Sequence, residues 1–179
     1  MAAFEVIAHT ELSSGAGWVE FTSIPNTYQH LYIVGSARST RNNYADGSSV
    51  YFNSRASSVN YSNTAIIAWG PSQPGAWDSV GDPSSNIGYS MDSPGALTED
   101  DMWSTSHLWI LDYAATDKYT GTIGGASSPG YSGGTNDWLQ TICHGHLRFT
   151  AAVHTVKIKN GVGNYAVGTA FTVYGINSA

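Results

Sequence analysis

One stretch decides the fold class: Leu139-Gln140-Thr141-Ile142-Cys143-His144-Gly145-His146-Leu147-Arg148-Phe149. Successive side chains of an extended chain point to opposite faces of a sheet. One face then carries Gln140, Ile142, His144 and His146. The other face carries Thr141, Cys143, Gly145 and Leu147. The stretch predicts a long β-strand whose first face meets solvent or a partner surface.

Short alternating segments of the same kind lie on both sides of this strand, and they are separated by Gly, Ser, Asn, Asp and Pro clusters. They occupy residues 4–12, 18–22, 30–37, 49–53, 59–62, 65–69, 107–113, 119–124, 154–159 and 170–176. No amphipathic helix and no repeat of about 20 to 50 residues accompanies them. We therefore predict a single all-β domain over residues 1–179, a two-sheet antiparallel β-sandwich that is jelly-roll-like.

Two local expectations follow from the first half of the chain. Residues 4–12 and 18–22 flank a glycine-rich turn, which predicts that they pair as an antiparallel hairpin. Trp18 and Trp109 lie inside predicted strands, so we expect both in the core.

The middle of the chain breaks the strand period. Residues 70–101 contain Pro71, Pro74, Pro83 and Pro94 among many glycines and serines, which predicts a long irregular insertion. A short strand is expected near residues 87–89, and residues 98–102 suit either a single helical turn or a polar turn. Long loops inside compact domains usually carry function or intermolecular contacts, so we expect the contact surface here.

Charge is scarce. Charged residues make up 11% of the 179 residues, against about 25% in ordinary soluble proteins. The net charge is −6 with seven Lys and Arg, and Arg38, Arg41, Lys157 and Lys159 form no stripe that could track phosphates. We expect these four cations at solvated strand edges and predict no nucleic-acid partner. A surface so poor in charge is often covered in a larger assembly.

The single cysteine, Cys143, excludes an intramolecular disulfide and fits a small buried hydrophobe. The first residues show no signal-peptide pattern, and no apolar run approaches the roughly 20 residues of a membrane span. We therefore expect a chain made in the cytoplasm, with no membrane partner.

Catalytic and metal chemistry find little support. His144 and His146 have a spacing that could serve a metal, but the sequence nominates no further ligand. We expect the acidic residues in the middle to be solvated surface groups, with a loop-bound calcium as the alternative; they are Asp78, Asp82, Asp92, Glu99, Asp100 and Asp101. No Gly-x-Ser-x-Gly elbow or paired-carboxylate pattern is visible. We predict no catalytic residues, no metal ligands, no cofactor and no enzymatic activity.

Aromatic residues give the candidate contact site. The candidates lie at or near loop boundaries: Trp69, Trp77, Trp103 and Trp138, with Tyr131 in the glycine-rich loop 126–136. A flat ring can stack on a sugar or fill a partner's pocket, which makes these residues candidates for ligand or partner contact. Closing the ends of the sandwich is the alternative role for them.

Several segments resemble small structural proteins of tailed bacteriophages. The likeness rests on residues 4–8, 21–25, 28–31, 35–38, 111–114 and 117–119, and on the ending Val167-Gly168-Thr169-Ala170-Phe171-Thr172-Val173-Tyr174-Gly175-Ile176. It leaves residues 53–105 largely unmatched. The resemblance implies a non-enzymatic virion protein, either a capsid decoration (cement) protein or a module of the tail or fibre.

The strand framework leaves little chain for a fibre shaft or a coiled-coil stem, so we favour decoration. Under that reading the chain binds the major capsid protein, stabilises the shell and works as a homo-oligomer, a trimer by analogy with other decoration proteins. The alternative is a tail-fibre, receptor-binding module that recognises host surface glycans through the loop aromatics. An enzyme that degrades glycans in the virion is the third reading.

Overall fold

The computed structural model describes residues 3–56, 60–69, 75–77, 86–88, 90–128 and 139–177. These residues form strands joined by turns, and the described ranges contain no helix. The strands are β1 Ala3–Glu11, β2 Trp18–Phe21, β3 His30–Ala37, β4 Ala45–Asp46, β5 Ser48–Phe52, β6 Tyr61–Trp69, β7 Gly75–Trp77, β8 Ile87–Gly88, β9 Ser93–Pro94, β10 Ser104–Leu111, β11 Thr120–Ser128, β12 Leu139–Leu147, β13 Val156–Asn160 and β14 Ala170–Asn177.

The strands build two main antiparallel sheets. The large sheet has eight strands in the order β1-β14-β3-β10-β11-β12-β6-β7, and the small sheet has four in the order β2-β13-β5-β8. A two-stranded ladder, β4-β9, lies beside them. The chain crosses repeatedly between the two sheets, which is the jelly-roll-like feature. The predicted all-β sandwich is confirmed.

The predicted N-terminal hairpin is wrong. β1 pairs with β14 in the large sheet, and β2 pairs with β13 in the small sheet. The turn between β1 and β2 is a corner between sheets, held by two hydrogen bonds that Ala16 exchanges with Tyr165. Each strand has one apolar face, and placing the two strands in opposite sheets lets both faces enter the same core.

The core lies between the inner faces of the two sheets. The large sheet contributes Leu31, Ile33, Leu108 and Ile110, all 0% exposed, and the small sheet contributes side chains such as Phe52. Fully burying one such side chain stabilises the fold by roughly 1.5–3 kcal/mol. Alternation between buried and exposed positions along each strand is therefore what fixes which face points inward.

The end of the predicted insertion is built into the fold. Most side chains between residues 90 and 98 are buried, although the sequence there shows no regular strand period that would predict burial. Asp92 reaches β5, where its Oδ1 accepts hydrogen bonds from the Ser48 backbone N–H at 2.7 Å and hydroxyl at 3.2 Å. Residues 98–102 form a turn rather than a helical turn. The rest of the insertion that was expected to make contacts lies mostly outside the described residues.

Arg38 holds this segment in place. Its guanidinium donates to the backbone oxygens of Thr98, Glu99 and Met102 at 2.6–3.0 Å, and to the Thr98 hydroxyl at 2.9 Å. The residue is 7% exposed, so the expectation of a solvated strand edge is wrong for Arg38. The fork of donors suits the guanidinium to satisfying several carbonyls of one turn at once.

Candidate functional site

The outer face of the large sheet is the surface that stands out. Seven of its strands each place four side chains outward, in four rows that the strand register lines up. A β-bulge between Val6 and Ala8 shifts the phase of β1, so that Phe4, Val6, His9 and Glu11 all point outward. We call these seven-strand rows the outer face.

Aromatic rings occupy one side of the outer face. Tyr32 and Trp109 have ring centroids 4.6 Å apart, and Phe4 stands edge-on to Tyr32, Trp109 and Tyr174 at 6.0–6.1 Å. Cross-strand pairs of this kind stiffen a sheet as well as cover it. Phe4 remains 59% exposed, so the cluster is open to a partner.

Isoleucines occupy the other side. Ile142 on β12 is paired with Ile66 on β6 and is 64% exposed, and Ile123 on β11 is 47% exposed. Between β10 and β12, Gly125 leaves a groove of about 330 Å³. A Cβ on Gly125 would lie 2.3 Å from the carbonyl oxygen of Thr141. A larger residue at position 125 would therefore force the strands to shift, and the missing side chain leaves the groove open.

Histidines are concentrated on the same face. Five of the six histidines lie here, on four strands: His9, His30, His107, His144 and His146. The rings of His144 and His146 are 4.6 Å apart, centroid to centroid. Burial, followed by the charge of His144, lowers the pKa of His146. Within the described ranges no group of three His, Cys, Asp or Glu side chains could hold a metal.

Formal charge is nearly absent from the outer face. Of the four outward residues on each of its seven strands, only Glu11 is charged, and it lies at a corner. The small sheet is the opposite: on its outer surface Lys157 approaches Glu20 at 3.8 Å and lies over the Trp18 ring at 4.8 Å. A broad sheet face without charges is difficult to solvate, and such patches mark interaction sites.

The loop aromatics proposed from the sequence do not assemble into one site. Trp103 is half-buried before β10, where a Cβ on Gly168 would lie 3.2 Å from its ring. Trp69 ends β6 and Trp77 ends β7, but their side chains are outside the described set, as are Trp138 and Tyr131 entirely. β11 and β12 separate β10 from β6, so Trp69 and Trp103 are roughly 14 Å apart across the sheet.

Sequence reasoning missed Trp109 and Trp18. Both were expected in the core, and this is wrong: Trp109 is half-buried on the outer face, and Trp18 is 53% exposed on the small sheet. His107 was the signal for Trp109, since the two residues share one phase of β10 and a core face rarely carries an unpaired imidazole. For β12 the phase was predicted correctly, including the outward Gln140, Ile142 and His144 and the buried Cys143.

The acidic residues considered for calcium form no cluster of three possible metal ligands within the described ranges. Asp78 and Asp82 lie outside the described residues, and Asp100 is exposed and pairs with Arg38 at 3.3 Å. Asp92 is buried, and its Oδ2 has no hydrogen-bond partner among the described residues. Burial raises the pKa of Asp92 to about 7, an effect that the hydrogen bonds from Ser48 oppose. A carboxyl group with one partner is a structural element here rather than part of a ligand shell.

Comparison with known proteins adds the following. No family model matches the chain, and no curated protein matches it. Among solved structures, an exo-inulinase from Aspergillus awamori aligns with 97% of this chain at 12% identity and a TM-score of 0.43, and the chain spans 29% of that protein. The N-terminal β-barrel domain of Pseudomonas aeruginosa OprF aligns with 66% of this chain at 10% identity and a TM-score of 0.18, and the alignment covers 97% of that domain.

These structural likenesses are too weak to carry an argument about function. In the described ranges, no helix is long and apolar enough to cross a membrane. The outer face therefore has to be interpreted from its own residues.

Proposed function

We propose that this chain is a non-enzymatic structural protein of a bacteriophage virion, a decoration protein that binds the major capsid protein and stabilises the shell. One observation supports it most strongly: the largest sheet exposes a nearly uncharged face of aromatic, aliphatic and imidazole side chains, bordered by a row that carries mainly hydroxyl and amide groups. Such a face is suited to being covered by another protein surface. This favours a protein that works inside a larger assembly.

The geometry of the described surface also favours surface recognition over small-molecule chemistry. The groove at Gly125 is open and shallow, whereas small-molecule sites are concave and enclose most of their ligand. Shell stabilisation needs no catalytic group. It needs a rigid framework that makes many contacts, and the continuous antiparallel large sheet supplies one.

Location and copy number in the virion test this function. Antibodies against the chain should label the capsid of purified virions, at a copy number on the order of hundreds per particle as expected for a symmetric coat. Particles that lack the chain should release their DNA at lower temperature than complete particles, because contacts between capsid subunits are lost. Labelling confined to the tail tip, or absence from the virion, would overturn the proposal.

Glycan recognition by a tail-fibre module is the second candidate, and the exposed aromatic cluster favours it. Tyr32, Trp109 and Tyr174 form a platform on which a sugar ring could stack. The test is a glycan array probed with the wild-type chain and with Trp109→Ala. Binding that Trp109→Ala abolishes, and that Trp18→Ala on the small sheet leaves intact, would favour this candidate over decoration.

A further inference from the structure

The size of the outer face limits what can cover it. Seven strands about 4.8 Å apart span roughly 29 Å, and four rows about 6.7 Å apart span roughly 20 Å. The projected area is then on the order of 600 Å², and the accessible area is larger because the side chains are uneven. A standard protein interface buries about 800 Å² on each partner. The outer face therefore matches one complete side of a stable interface.

The chemistry of the outer face limits the partner further. With its histidines counted as neutral, the outer face carries one charge, that of Glu11 at a corner. A strongly charged partner surface set against this face would lose water and gain few counter-ions. The complementary surface is flat, uncharged and partly aromatic, which is a description of the outer face itself.

The shape of the outer face provides a fit between two copies. Ile142 borders the groove at Gly125, and Ile66 stands beside it on the next strand. Two sheets that pack face to face interdigitate their side chains at a separation of about 10 Å. A protruding isoleucine from one copy has a groove to enter on the other.

We infer that the outer face is a self-association surface, and that two copies of this chain pack through it, sheet against sheet, about a two-fold axis. A face that covers itself makes an isologous contact, which closes at two copies. The homo-oligomer expected from the sequence is then a dimer through this face rather than a trimer.

Self-association does not depend on the proposed function. Only the role given to the dimer, joining capsid subunits, rests on it. A two-fold dimer presents two copies of every other surface, so it can tie two capsid subunits together. Self-association is measured on the purified chain alone, and capsid attachment is measured on virions. Failure of one can therefore be distinguished from failure of the other.

Sedimentation velocity of the full 179-residue chain tests the inference. At about 50 μM the wild-type chain should sediment as a particle of twice 19.0 kDa. Ile142→Glu places a carboxylate on β12 beside the groove of the outer face, where a second copy would remove its water, and should weaken association at least about 100-fold. Ile66→Glu, on the neighbouring strand, should do the same.

Lys159→Glu is the matched control. It introduces the same side chain at an exposed strand position of the small sheet and should leave the dimer intact. All variants should keep the far-ultraviolet circular dichroism spectrum of the wild type, since residues 66, 142 and 159 are exposed. A monomeric wild-type chain, or a dimer that survives both isoleucine substitutions, would overturn the inference. A monomer that binds glycans through Trp109 would assign the outer face to carbohydrate instead.

Discussion

The outer surfaces of the two sheets follow the same strand alternation and differ in what that alternation exposes. On the small sheet, Lys157 pairs with Glu20 across neighbouring strands and its ammonium lies over Trp18. On the large sheet, the corresponding surface shows Ile142, Ile123 and a cluster of aromatic rings with almost no charge. The outer surface of the small sheet therefore carries charged groups that water solvates well, whereas that of the large sheet exposes mostly uncharged and partly apolar groups.

The difference shows that scarcity of charge in the whole chain is unevenly distributed. Exposed hydrophobic residues are normal when they are scattered, and the single Trp18 on the small sheet, covered by Lys157, is of that kind. On the large sheet they are contiguous across seven strands. Contiguity, rather than the number of exposed apolar residues, therefore makes the outer face the candidate interaction surface.

The largest expected effect is a change in the free energy of unfolding with pH, and it comes from the buried residue Asp92. The pKa of Asp92 is about 7 in the folded chain against an ordinary 3.8, so the folded state holds a proton that the unfolded chain releases. Its contribution to stability is complete below about pH 4 and is lost as the pH rises to about 7, with an upper bound of about 4 kcal/mol. Asp92→Asn cannot ionise, so its free energy of unfolding should change far less over this range.

Urea unfolding at about pH 5 and about pH 8 checks this prediction, since the midpoint follows stability when the slope is unchanged. Asp117→Asn, at an exposed loop position, is the control and should retain the wild-type pH dependence. If Asp92→Asn lost stability with rising pH as steeply as the wild type, another group would be responsible.

Gly125→Ala should have the next largest effect, and it tests whether the groove of the outer face is built into the backbone. The added Cβ would meet the Thr141 carbonyl oxygen at 2.3 Å, so β11 and β12 must separate. We expect a loss of about 3 kcal/mol in the free energy of unfolding, measured by thermal or urea denaturation.

Gly121→Ala is a matched control on the same strand and the same face. Its Cβ would meet only the His146 ring, at 3.9 Å, so we expect a change within about 0.5 kcal/mol. If the two alanine substitutions lowered the free energy of unfolding equally, the contact with the Thr141 carbonyl oxygen would not be what requires glycine at residue 125.

Acid should weaken association through the outer face by at least about tenfold between about pH 7.5 and pH 5.5, because burial already lowers the pKa of His146 and covering its ring further disfavours the charged form. The neighbours of the outer-face imidazoles are Thr172 at His9, Tyr32 at His107 and His144 at His146. The carboxylates near them are Glu11, two residues along β1 from His9, and Asp112 beside His30. The dissociation constant is measured by sedimentation at both pH values. Replacing His144 and His146 with Gln should reduce the pH effect, whereas replacing His154, which lies outside the outer face, should not.

The smallest effect is expected on the small sheet. Glu20→Gln removes the ion pair with Lys157, whose atoms are 3.8 Å apart on an exposed surface. Exposed pairs contribute little, so stability should change by no more than about 0.5 kcal/mol, and the dimer should persist. A larger loss of stability, or loss of the dimer, would remove the distinction between the two surfaces.

Local alternation was enough to predict most strands and, in β12, the face of every side chain. It failed where a residue's surroundings come from distant parts of the chain. Arg38 was expected at a solvated strand edge because it belongs to no basic stripe, yet residues 98–102 enclose it. The loop tryptophans were selected for their flanking residues, whereas the observed aromatic cluster joins Phe4, Tyr32, Trp109 and Tyr174 from four strands.

The sequence by itself determined an all-β sandwich, because the period of two along each strand depends only on backbone geometry and on which side chains avoid water. It also determined that Cys143 points inward and that His144 points outward. Only the tertiary structure decided that β1 and β2 belong to different sheets, and that five histidines, three exposed isoleucines and the aromatic cluster share one nearly uncharged face. The order of strands in a sheet sets those neighbours, and strand order is fixed by contacts between residues far apart in the chain.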